Sequence, residues 1–213
     1  MKKIFLMAFV ALSVSAMAQK VTPISITLFD FKIDSLRALY MSEPIMYRAA
    51  LDNVERELNK NGDEIKAVKA QWKVEQQHSK EMVNALKEAG NMANSLKKLY
   101  GKEEAELKSM QKVVEKQQRT LSKQNELNDE TRENYVAFLD KQQKELGYAI
   151  REVAERSRAV SELETQIQNS RTNLQEFEQQ VSQKAADIAK LEAELKTRLA
   201  SVKAEQKAAK SMQ

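Results

Sequence analysis

The chain has 213 residues, of which 35 are Lys or Arg and 31 are Asp or Glu, so its formal net charge is +4. Such a mixed-sign composition excludes a strongly basic surface for nucleic acid. Zero cysteines, one histidine, four glycines and two prolines exclude disulfides, Cys/His zinc sites and glycine-rich phosphate loops, and leave little room for loops of any kind.

The first predicted element is a signal peptide over 1–18. Two lysines give it a basic start, residues 4–14 form an apolar run, and the small-x-small triplet over 16–18 fits a cleavage site. The apolar run is shorter than the roughly 18 residues that a membrane span requires. The pattern therefore predicts a signal that is removed, and a mature chain that begins at Gln19.

Export sets the expected compartment. Two of the 35 basic residues lie in the signal, which leaves 33 basic against 31 acidic residues and a net charge of +2. No cysteine follows the cleavage site to carry a lipid anchor, and no later segment is apolar enough to span a bilayer. We expect an exported protein in the periplasm of a Gram-negative envelope, or as the alternative a secreted one, with no integral membrane segment after cleavage and no nucleic-acid partner.

The segment over 19–42 differs in pattern from the rest of the chain. Apolar residues alternate with polar ones over 24–28, which is typical of a short strand, and helical spacing follows over 33–40. No second strand-like run occurs in the sequence, and a lone strand needs a partner for its backbone groups. Either the segment folds irregularly against the first long helix, or the strand pairs between subunits.

The first coiled-coil arm is predicted over 43–124. Ser42 is a good N-cap and Pro44 fits the first turn of a helix. Apolar side chains then recur every seven residues, a spacing typical of helices wound around a partner helix. The repeat keeps its phase through 61–63, so we expect a kink there and not a turn; among the later glycines, Gly101 offers the best position for a break. We assign Leu58, Ile65, Trp72, Leu86, Tyr100, Leu107, Val114 and Leu121 to the seam of this arm.

A change of phase separates the two halves of the repeat. The last seam residue of the first arm and the first of the second arm are 18 residues apart, which is two heptads plus four residues, and the segment between them is polar. Either the chain reverses at 125–132, or one long helix carries a four-residue stutter. The second arm is predicted over 133–213, with the seam residues Leu139, Leu146, Val153, Val160, Ile167, Leu174, Val181, Ile188 and Leu195.

Charged residues at the second core position decide between the two alternatives. In an antiparallel hairpin Glu75 comes level with Lys184, and Glu103 comes level with Arg156, whereas a parallel dimer would bury like charges against each other. We therefore predict an all-α fold. It is a long antiparallel helical hairpin, a coiled coil, with its turn near 125–132 and a short strand-like or irregular N-terminal segment.

No constellation for catalysis, cofactor binding or metal binding is found in the sequence. The single histidine, His78, is expected to be a packed or solvated side chain, and the acidic residues are scattered among lysines as on a salt-bridged helix surface. We expect a protein that is not an enzyme, with no cofactor and no metal. Apolar residues outside the seam predict that further helices pack on the arms, from a protein partner or in a homo-oligomer; they are Val83, Met92, Leu99, Val113, Tyr148 and Ile150.

The order of a signal peptide, a strand-like run at 24–28 and a long helical arm entered through 44–58 resembles the Skp/OmpH family of periplasmic chaperones. This resemblance concerns organisation, and it implies a holdase for unfolded outer-membrane proteins. From the residues alone, the leading interpretation is an exported, non-enzymatic scaffold, adaptor or assembly subunit of the cell envelope. A helical-hairpin subunit of a secretion or conjugation apparatus is a further alternative.

Overall fold

The structure is a computed structural model that describes residues 20–40, 42–123 and 128–211. The predicted signal peptide over 1–18 lies outside the described residues. So do residues 124–127, which include part of the predicted turn.

Within the described residues the chain forms three helices: α1 (Ile33–Tyr40), α2 (Pro44–Leu121) and α3 (Asp129–Ser211). They make up 90% of the described residues, among which no strand is found. The predictions of an all-α chain and of two long helices packed against each other are confirmed. None of the described helices is both long and apolar enough to cross a bilayer.

The starts of the two long helices are fixed by local hydrogen bonds. The Tyr47 N–H donates to the Glu43 carbonyl, so Glu43 and not Ser42 is the cap residue of α2, with Pro44 in the first helical position. The Asn128 side chain accepts a hydrogen bond of 2.8 Å from the Thr131 N–H, as an N-cap does. This cap starts α3 four residues before the predicted position, so that residues 129–132 are helical.

Residues 20–32 form neither helix nor strand, so the irregular alternative is the one observed. The side chains of Ile24, Ile26 and Leu28 pack against the apolar core between α2 and α3. Alternation places these three side chains on one side of the extended chain, as it would in a strand. Burial of that side, without a ladder partner, is what holds the segment; the predicted short helix follows as α1.

The glycines of α2 do not interrupt it. The helix is continuous from residue 44 to residue 121, and no described glycine has a positive φ angle. A Cβ atom added at Gly101 would meet nothing within 4 Å, so this glycine serves no close approach. The expected kink at 61–63 and the expected break at Gly101 do not end the helix, because a single glycine costs only about 1 kcal/mol in a helix interior.

The described chain divides into two compact units. We call the described residues of 18–83 and 173–213 the terminal unit, and those of 84–172 the central unit. The terminal unit has the larger apolar cluster, which joins α2, α3 and the N-terminal segment. A cluster in the central unit consists of Val114, Leu121 and Leu139, with Leu146 packed against it.

Polar side chains link α2 to α3 at a regular spacing. In each unit, contacts that lie farther along α2 lie earlier along α3, so the two helices run antiparallel. Four successive contacts are separated by 14, 28 and 21 residues along α2 and by the same numbers along α3. All three spacings are multiples of seven. The contacts join Glu55 to Gln206 and Lys69 to Glu192 in the terminal unit, and Lys97 to Glu164 and Gln118 to Gln143 in the central unit.

A candidate protein-binding surface

The residues assigned to the seam are buried or partly buried. Trp72, Tyr100, Leu107 and Leu146 are partly buried. The Trp72 indole N–H donates a 3.0 Å hydrogen bond to the Val181 carbonyl on the facing helix, which satisfies its polar edge. The other seam residues are buried: Leu58, Ile65, Leu86, Val114, Leu121, Leu139, Val153, Val160, Ile167, Leu174, Val181, Ile188 and Leu195.

One predicted charge pair is a buried ion pair. Lys184 Nζ lies 2.8 Å from both carboxylate oxygens of Glu75, and the two side chains are 4% and 13% exposed. The Thr22 N–H also donates to Glu75 at 3.2 Å. The pair therefore joins both long helices to the N-terminal segment, in a place where water screens the charges little.

The second predicted pair does not form as an ion pair. The Arg156 guanidinium binds Glu152, one turn earlier on α3, and not Glu103. The Arg156 side chain is 36% exposed, so water solvates its charge and a partner on its own helix serves as well as one across the seam. Lys184 is too deeply buried to have that choice.

The N-terminal segment is tied to the long helices through its backbone. Asn61 is buried in α2; its side-chain oxygen accepts the Phe29 N–H at 2.7 Å and its amide donates to the Thr27 carbonyl at 3.3 Å. Arg198 of α3 donates to the Phe29 carbonyl. A core asparagine can therefore satisfy the backbone of a chain that has no strand partner. Its sequence signal is an amide in an otherwise apolar repeat.

A second polar cluster ties α1 to the far ends of α2 and α3. Glu205 is buried and accepts hydrogen bonds from the Tyr47 hydroxyl at 2.6 Å and from Arg37 at 2.8 Å. The Tyr47 hydrogen bond, followed by that of Arg37, holds the pKa of Glu205 below its ordinary value of 4.5. Burial and the neighbouring carboxylate raise the pKa of Tyr47 above 10.0. Nothing in the local sequence around these residues signals their meeting.

This cluster predicts a loss of stability in acid. Because the folded pKa of Glu205 is lowered, its contribution is fully present above about pH 4.5 and is lost as the pH falls through the lower folded value. We expect the Glu205→Gln variant to be less stable at neutral pH and to show a flatter decline below pH 4.5. The measurement is urea unfolding across pH. Glu155→Gln, which removes an exposed carboxylate, should keep the wild-type slope; equal slopes for all three proteins would contradict the prediction.

The two sides of the seam differ in the central unit. Four positions after a seam residue, polar side chains bridge the helices, as where Lys97 Nζ lies 2.8 Å from Glu164 Oε2. Residues one position before a seam residue, or two or three after it, lie on the other side of the helix, since each residue turns the helix by about 100°. On that side the exposed residues include large apolar side chains.

We call this second side of the central unit the open face. Its apolar side chains are more exposed than isolated core residues would be, and they recur on both helices, so they form a patch and not a scatter. The sequence identified some of them as extra packing positions. The exposed apolar residues of the open face are Met92, Leu99, Met110 and Val113 on α2, and Tyr135, Phe138 and Tyr148 on α3.

Two shallow grooves lie along the open face. One, of about 700 Å³, is lined by apolar residues that include Met110 and Val113, with Glu145 among its polar residues. The other, of about 590 Å³, is lined by Val113, Leu121 and Tyr135, among other residues. Because both grooves share Val113, they are parts of one surface that an elongated partner could cover.

The titratable side chains have structural surroundings. His78 packs edge-on against Phe177, with ring centroids 6.3 Å apart. In the part of the chain that the structure describes, no group of three or more His, Asp or Glu residues could hold a metal ion. The strongest candidate site on this part of the chain is therefore the open face. Comparison of the chain with models of known protein families, with characterised proteins and with solved structures finds no match.

Proposed function

We propose that this chain is an exported, non-enzymatic coiled-coil protein that acts through protein–protein contacts as a scaffold, adaptor or assembly subunit of the cell envelope. The coiled-coil interpretation is supported by the buried seven-residue repeat and by cross-helix contacts spaced at multiples of seven. The export interpretation depends on the signal pattern over 1–18.

The open face is the observation that carries the contact function. In the terminal unit, apolar side chains of the N-terminal segment pack against the core of α2 and α3. In the central unit, Leu99, Met110 and Val113 are each more than half exposed. Large apolar patches on exported proteins are typical of binding surfaces, because leaving them in water forgoes roughly 25 cal/mol for each Å² that a partner would bury.

A holdase is the second candidate, and one contact favours it. The terminal unit already holds an extended segment whose alternate side chains, Ile24, Ile26 and Leu28, are packed against two helices. An unfolded outer-membrane protein presents the same alternation of apolar residues along its strands. The open face could bind such a segment in the way that the terminal unit binds its own.

Photo-crosslinking tests the proposed function at single positions. We expect a photoreactive phenylalanine analogue at Leu99 to yield discrete crosslinked products in the native envelope, identified by mass spectrometry. The same analogue at Val136, which is exposed on the opposite side of the seam in the central unit, should yield none of these products. Equal products from both positions would contradict a binding role for the open face.

A companion assay separates the two candidates. A scaffold should leave the aggregation of an unfolded outer-membrane β-barrel protein unchanged at equimolar amounts. A holdase should slow that aggregation, and Leu99→Glu should abolish the effect while Val136→Glu keeps it. Mass analysis of the exported chain tests the export proposal directly: a chain that begins at Gln19 supports it, and a retained Met1 contradicts it.

A further inference from the structure

We propose that the open face of the central unit binds the same face of a second copy of this chain, with α2 of one copy packed on α3 of the other. This inference deepens the proposed function by naming the partner, and it rests on that function. Its basis is the distribution of charge along the apolar patch.

The two helices present opposite charge on the open face. Beside the apolar residues of α2, the exposed charges are Lys102 and Lys116, with Glu106 between them. Beside Phe138 and Tyr148, the charges of α3 are predominantly acidic. They are Glu145, Glu152, Glu155 and Glu162, with one lysine, Lys141.

This asymmetry selects the pairing of helices between two copies. Stacking α3 on α3 would bring the acidic residues together, which opposes association. Stacking α2 on α3 places Lys102 and Lys116 near the partner's acidic helix. It does so twice, because a two-fold axis repeats every contact.

The apolar residues fit the same arrangement. Leu99, Met110 and Val113 of one copy would pack among the aromatic side chains of the other, and the grooves beside Val113 would be filled. Each helix would then have two helical neighbours, as in a four-helix bundle. Burial of the patch supplies the association free energy, and the charges fix which helices meet.

Two pairs of substitutions test the inference in the purified full chain. We expect wild type to be dimeric by analytical ultracentrifugation. Leu99→Glu with Val113→Glu should raise the dissociation constant on the order of 100-fold, since each places an unpaired charge in an apolar interface. Val136→Glu, on the opposite side of the seam, should leave the constant unchanged. Circular dichroism should show the same helix content in every variant.

Charge reversal tests the pairing of α2 with α3. The variant Lys102→Glu/Lys116→Glu and the variant Glu155→Lys/Glu162→Lys should each be monomeric, because both of their two-fold-related contacts become repulsive. An equimolar mixture of the two variants should dimerise, since every contact then joins opposite charges. Dimers of either variant alone, or a mixture that stays monomeric, would overturn the pairing.

The outcome is distinguishable from that of the proposed function. A wild-type chain that stays monomeric up to about 100 µM, where only interactions weaker than about −5.5 kcal/mol escape detection, overturns the second copy as the partner. If position 99 still crosslinks to a different envelope protein, the proposed function stands without this inference. If position 99 crosslinks to nothing, both fail.

Discussion

Replacing Lys184 with methionine should lower the free energy of unfolding by about 3–5 kcal/mol, because the substitution leaves the Glu75 carboxylate buried without its cation. Lys184 contacts both oxygens of Glu75 at 2.8 Å, and the pair is nearly inaccessible to water. The remaining donor to Glu75 is the Thr22 N–H, which cannot neutralise a full charge. Urea unfolding followed by circular dichroism measures the loss.

Two control variants make this prediction specific. Lys97→Met removes a cross-helix ion pair with Glu164 that is largely exposed, and it should cost about 0–1 kcal/mol. The double variant Glu75→Leu/Lys184→Met replaces the buried charges with apolar side chains and should recover most of the loss. If Lys184→Met costs no more than Lys97→Met, the buried pair does not stabilise the fold as we describe.

Truncating Leu58 to alanine should lower the free energy of unfolding by about 2–5 kcal/mol, because the substitution leaves a cavity in the tightest part of the core. Leu58 is 0% exposed and belongs to the cluster that joins α2, α3 and the N-terminal segment. Leu107 occupies the same place in the seven-residue repeat but is only partly buried. Leu107→Ala should therefore cost less than half as much.

Thermal and urea unfolding of the two alanine variants compare burial with repeat position. A larger loss for Leu58→Ala supports the view that the N-terminal segment completes the core of the terminal unit. Equal losses would contradict it, and would mean that position in the repeat alone sets the contribution of a seam leucine.

The seam and the hairpin could be predicted because each depends on a repeated signal. Seven-residue spacing selects one side of each long helix for burial whatever the rest of the chain does. Opposite charges at Glu75 and Lys184 are informative for a related reason: a buried charge needs a partner, so the requirement can be seen in the sequence. The Arg156 pairing could not be predicted in this way, since a half-exposed charge has several partners of nearly equal energy.

The N-terminal contacts could not be predicted, because they join positions that are distant in the sequence and occur once. Asn61 reads as a helix-breaking residue beside a glycine, yet its amide holds the backbone at Phe29. The Glu205 cluster similarly brings together one residue from each helix. Single polar contacts of this kind carry no periodicity, and only the folded chain shows which donors reach which acceptors.

The constant spacing of contacts between α2 and α3 has an evolutionary consequence. A deletion or insertion in one helix shifts every contact beyond it out of step with the facing helix. Length can therefore change only through matched events, a whole number of heptads in α2 and the same number opposite it in α3. Relatives of this chain should differ in helix length by multiples of 14 residues in total, with both helices lengthened or shortened together.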